Sequence, residues 1–226
     1  MSDTYEDAQA DDYLNELYNR FGPEWADEHR AELNDQAIQA FKSERLQSYY
    51  LAHPDIARAP LTMMVKMEAL LSVDRPAALV FAVSAIEITI KHVLVKPILS
   101  GLVHDEAVAD LLMDLVPRDV RSKPFRQITF GTLKKVVGVD LVDYRRKGAT
   151  KTLWEEYTQL LEERNRFIHS GALPSSETLA IFDLVAIEFL KTLFPKTLET
   201  LGLHVTGTLL IAEDSGVDDE EDPDLN

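Results

Sequence analysis

One segment constrains this chain more than any other. Residues 76–100 are apolar on nearly every side of a helical wheel, and the run over 77–86 is broken only by Ser84 before Glu87. A helix that is hydrophobic all round has to be buried on all sides, so the rest of the chain must be built around it. Asp74 is placed to cap this helix, Pro76 to start it and Ser100-Gly101 to end it. The apolar run falls short of the roughly 20 residues that a membrane span needs, with Lys91 and Lys96 close behind it, so the expectation is the core of a soluble protein with no membrane contact.

The flanking segments carry helical periodicity. Tyr13, Leu14, Leu17, Tyr18 and Phe21 predict an acidic amphipathic helix over 4–21, which Gly22-Pro23 breaks. A second helix is expected over 24–50 and ends at His53-Pro54, and Pro60 opens a mixed linker to Asp74. Shorter helices are expected over 105–116 and 125–137. Thr152-Leu153-Trp154-Glu155 is a capping box, which starts a helix at Leu153 that runs to His169 and stops at Ser170-Gly171. A last long helix begins at Ser175 or Ser176 and is kinked or ended by Pro195. Residues 203–212 read as a strand, weakened by Gly207, that must pair with 136–141 or with its copy in another subunit. The fold class is therefore all-α: an acidic helical extension over 1–35, a helical bundle over 36–202, a possible strand over 203–212 and an acidic tail over 213–226 that is expected to be disordered.

Charge reinforces this division. The net charge is −16, a value that argues against a nucleic-acid binder taken at face value. Residues 1–35 carry eleven acids against two arginines and residues 213–226 carry eight acids and no base, which leaves 20 acids and 21 bases between them. Within that neutral body, residues 118–151 hold ten bases against three acids, and Arg145, Arg146 and Lys147 form its densest part. Such a run either tracks a phosphate backbone or is a solvated loop. The absence of cysteine excludes disulfides, thiolate metal sites and cysteine nucleophiles. The six histidines have no ligand spacing, so no metal and no cofactor is assigned. Glycine-rich dinucleotide loops, P-loops and nucleophile elbows are also missing from the sequence. The acidic N-terminus lacks the basic start and apolar run of a signal peptide, which leaves a cytoplasmic protein as the expectation.

The segment richest in chemistry is Arg164-Asn165-Arg166-Phe167-Ile168-His169. Asn165 and His169 share a helix face, and Arg164 lies about 140° round and depends on its length. Arginine holds phosphate oxygens in pairs, histidine moves protons near neutral pH, and the last helical turn favours a cation. The bland reading is a surface arginine and a terminal histidine that cap the helix. In the central helix, Ser84, Glu87 and Lys91 form one polar stripe in which Glu87 and Lys91 either pair with each other or face a wet cleft beside His169. Trp154 and Tyr157 are read as core.

Arg164, Asn165 and His169 together resemble the Arg-x4-6-His signature of the HEPN superfamily, in which a polar residue commonly follows the arginine. The resemblance extends to a group of bacterial HEPN-like proteins through Ser48-Tyr49-Tyr50-Leu51, the apolar segment with Glu87, Lys91 and Lys96-Pro97, and Thr152-Leu153-Trp154-Glu155. It covers roughly residues 40–202. It implies an up-and-down helical bundle and a metal-independent endoribonuclease, in which a ribose 2′-hydroxyl attacks the adjacent phosphate and leaves a 2′,3′-cyclic end. It also implies a homodimer whose two motifs meet, with Arg164, Asn165 and His169 catalytic; the polar stripe and the basic run add Glu87, Lys91, Arg145, Arg146 and Lys147 as supporting or substrate-binding residues. The expected role is a toxin or phage-defence effector, with an antitoxin or regulatory protein as partner. Other members bind only a nucleotide, an RNA or a protein partner, and that is the alternative reading.

Overall fold

The computed structural model describes residues 20, 43–102, 126–127, 129–131, 133–134, 138, 140–207 and 210–213. The helices expected over 4–21 and 105–116, parts of those over 24–50 and 125–137, and the acidic tail lie outside the described residues. The described fold is helical apart from one small hairpin, and the chain divides into two compact units, residues 1–49 with 91–144 and residues 50–90 with 145–226.

The second unit is organised on the apolar segment. Helix α1 (Arg58–Leu70) and helix α2 (Arg75–Ile88) are joined by a tight turn. The carboxylate of Asp74 caps α2 by accepting the Ala77 N–H at 3.0 Å, and proline stands in the first turn, where its missing N–H costs nothing. Ala78, Leu79, Ala82, Val83, Ala85 and Ile86 are all fully buried. Around α2 pack α1, α4 (Leu153–Ser170) and α5 (Ser176–Ile187).

Helix α1 corrects the expectation of a linker after Pro60. Pro60 falls in the first turn, which tolerates proline, and Leu61, Met63, Met64, Lys66, Met67, Glu68, Ala69 and Leu70 are strong helix formers. Pro60, Met64 and Met67 form its buried stripe.

The chain stays helical beyond α2, through a π-helical stretch Thr89–Val95 into α3 (Lys96–Leu102). A second π-helical stretch, Glu188–Leu193, links α5 to α6 (Phe194–Glu199), so Pro195 neither ends the helical path nor leaves it regular. Both stretches end two residues before a proline, Pro97 and Pro195. A proline ring collides with the carbonyl four residues earlier and offers no N–H to it, and a wider turn moves that carbonyl away. The Phe194 N–H accordingly donates to Phe189, five residues back. Extended in this way, the run Arg75–Ser100 is long and apolar enough to cross a membrane, contrary to the expectation from residues 77–86 alone, but 61 % of its most apolar 18 residues are buried, as in a core helix.

The strand expected over 203–212 instead folds back on itself. Strands β1 (Leu203–Val205) and β2 (Ile211–Glu213) pair antiparallel, with His204 opposite Ala212. Thr206 closes the turn by donating its N–H to the Leu210 carbonyl at 2.7 Å, and Gly207 lies inside the turn. Ile211 also donates to the Pro54 carbonyl at 2.8 Å, which ties the hairpin to the chain ahead of α1.

In the first unit, residues 43–49 are helical with Leu46 buried, and Val93, Leu94, Val95, Ile98, Leu133 and Leu141 are buried as well. Lys134 pairs with Asp140 at 2.7 Å.

Helix α4 starts on the capping box as expected. Thr152 Oγ1 accepts the Glu155 N–H at 3.2 Å, and the Glu155 carboxylate accepts the Thr152 N–H at 2.7 Å. The Thr152 N–H bond and a second bond donated by the Thr152 hydroxyl at 3.0 Å, with the charges of Arg145 and Lys151, hold the Glu155 carboxyl below the usual glutamate range. A carboxyl with a lowered pKa adds stability above its unfolded value and loses it as pH falls through the folded one. We expect Thr152→Ala to cost about 1 kcal/mol in urea unfolding at neutral pH. Glu155→Gln should flatten the loss of stability on the acid side of the glutamate range, measured as thermal midpoint against pH.

Candidate active site

The motif occupies the last two turns of α4. Leu153, Trp154, Tyr157, Leu160 and Leu161 bury one side of the helix, and Tyr157 makes edge-to-face contacts with Trp154 at 5.3 Å and with Phe189 at 5.8 Å. Both aromatics are core residues, as their spacing predicts. Beyond Leu161 the burial fades. Arg164 and Asn165 are half-buried, while Arg166, Ile168, His169 and Ser170 are exposed. The helix ends at Gly171, whose φ of 68° lies in the left-handed region and whose N–H donates to the Phe167 carbonyl at 2.9 Å. His169 thus stands in the final turn.

Arg164 is held from another helix. Its Nη2 donates to Glu87 Oε2 of α2 at 2.6 Å, and the two side chains keep 17 % and 25 % of their exposure. The spacing of Glu87 and Lys91 allows them to pair or to face a cleft beside His169; the carboxylate accepts a bond from an arginine 77 residues away. Packing α4 against α2 brings that longer side chain to it. The Nε of Arg164 is buried with no bonded partner. Neighbouring Arg166 pairs with Glu163 on its own helix.

Lys91 belongs to the first unit, where it and Lys96 add to the burial that pushes the His92 imidazole below its ordinary range. The basic run splits by role. Arg146 Nε and Nη2 bond the two carboxylate oxygens of Glu156 at 2.8 and 2.9 Å, with the side chains only 15 % and 5 % exposed. Arg145 donates to the Thr150 carbonyl, and Lys147 is exposed beside Gly148, whose φ is 81°. Two of these three bases therefore fasten the loop that leads into α4. A visible sign of the Arg146–Glu156 pair is Glu156 itself, a charged residue inside the buried pattern of Leu153, Tyr157 and Leu160, with two arginines just upstream.

Among the described residues no group of three or more histidine, aspartate or glutamate side chains could hold a metal ion. No family model, no curated protein and no solved structure matches the chain.

Removing one partner of a buried pair strands the other charge. Glu156→Ala is expected to cost about 3 kcal/mol of stability by denaturant unfolding, and Lys147→Ala to stay within about 0.5 kcal/mol of the parent.

Proposed function

We propose that this chain is a metal-independent endoribonuclease of HEPN type that works on the end of α4. The observation that carries this reading is an exposed histidine one helical turn beyond a half-buried asparagine, with the arginine of the motif anchored at the same end by Glu87. His169 is the proton-transfer group, taking the proton of the ribose 2′-hydroxyl or delivering one to the departing 5′-oxygen. Arg164 stabilises the extra charge of the phosphorane, and Asn165 orients the phosphate or the imidazole. The products are a 2′,3′-cyclic phosphate and a free 5′-hydroxyl.

One arginine and one histidine make a sparse site, and a two-fold dimer that brings two copies of this helix end together completes it. Ile168 and Leu173, 49 % and 75 % exposed on either side of His169, are apolar surface of the kind such a contact covers. The setting is cytoplasmic, as a toxin or phage-defence effector under a regulatory partner. A second reading, a non-catalytic dimer that binds RNA, a nucleotide or a protein through this surface, is favoured by the neutralisation of Arg164 by Glu87.

The test is cleavage of single-stranded RNA in EDTA, with the ends analysed for cyclic phosphate. His169→Ala should lower the rate by roughly 10² to 10⁴ with RNA binding intact, whereas Arg164→Ala should weaken binding as well. An inactive parent protein, or a fully active His169→Ala variant, leaves the binding-module reading. A monomer in light scattering at micromolar concentration contradicts the shared site.

A further inference from the structure

The two arginine–glutamate pairs of this unit differ in kind. Arg146 and Glu156 use two parallel bonds, and the carboxylate is almost wholly buried. Arg164 and Glu87 share one bond, leave the arginine Nε without a partner and keep the carboxylate a quarter exposed. A guanidinium is satisfied best by two oxygens presented side by side, which the first pair supplies and the second does not. A phosphodiester presents two such oxygens. Glu87, released to the solvent it already partly meets, regains hydration at modest cost.

We infer that Glu87 is an intrachain competitor for the phosphate-binding arginine, so that RNA binds by taking Arg164 from Glu87. The inference rests on the assignment of Arg164 to phosphate made above. The carboxylate occupies the edge of the guanidinium that the phosphate must take. The free protein thus holds its arginine neutralised, and its affinity for any single phosphate is reduced by the fraction of molecules in which the pair is closed. Such a contact restrains a nuclease until a ligand with several phosphate contacts displaces it.

The experiment uses the full chain and a fluorescein-labelled 2′-O-methyl oligoribonucleotide, which cannot form a cyclic phosphate, with binding read by anisotropy. Glu87→Gln removes the charge but keeps an amide oxygen for Arg164, and it should tighten binding about three- to tenfold. The dependence of log affinity on log salt should steepen by about one unit as one more cation becomes available to phosphate. Glu87→Asp, which keeps the charge but falls short of Arg164, should also tighten binding, and it serves if Glu87→Gln does not fold. On an Arg164→Ala background neither change should have any effect. Folded Glu87 variants that bind equally or more weakly overturn the inference, as does the same tightening without Arg164. Its failure is separable from that of the nuclease reading. A parent protein that cleaves RNA through His169 while Glu87→Gln gains nothing defeats the competitor alone, and tightening in a protein that cleaves no RNA defeats the nuclease alone.

Discussion

Everything in the second unit depends on how closely its neighbours approach α2. Ala78, Ala82 and Ala85 have no exposed surface, and their small side chains let α1, α4 and α5 press against one helix at the same time. Close packing of this kind gains dispersion contacts that larger side chains would prevent by holding the helices apart. It also sets the site. Glu87 lies in the last turn of α2, and the contact of α4 with that helix carries Arg164 to it.

The arginines then differ in the quality of their partners. Arg146 is spent on a buried carboxylate that accepts both of its bonds, and Arg145 on a loop carbonyl. Arg75 donates to the Leu179 carbonyl and lies 5.3 Å over the ring of Phe182, which joins the start of α2 to α5. Arg164 is the arginine of this group with a single carboxylate bond and an unsatisfied Nε, and it is the one that stands on the same helix end as His169. A basic run counted from sequence cannot make that distinction, because it depends on which cations find buried acceptors.

The π-helical stretches show a similar dependence of geometry on one residue type. Each proline lies two residues past a widened turn, and the helical path survives both. Pro195 reads as a kink or a stop because a regular α-helix cannot accept it. The chain avoids the clash by inserting an extra residue in the turn, which keeps Phe189, Leu190 and Leu193 buried.

The sequence by itself determined the helix ends whose capping partners lie within about four residues. The Asp74 cap, the Thr152–Glu155 box, the Ser175 cap of α5 and the Gly171 terminus all form where local chemistry places them, because each bond closes a short ring with little chain entropy to lose. The buried face of α4 and the position of His169 in its last turn were legible for the same reason. Helix α1 was hidden because Pro60 reads as a breaker until its place in a first turn is known. Only the tertiary structure decided the hairpin of residues 203–213, the partner of Glu87 and the retirement of Arg145 and Arg146 into the loop. A hairpin and a strand share the same period-two pattern, and packing delivers Arg164 to the Glu87 carboxylate. The Glu87–Arg164 contact joins segments 77 residues apart, where the closing entropy is repaid by the whole core rather than by the two residues that meet.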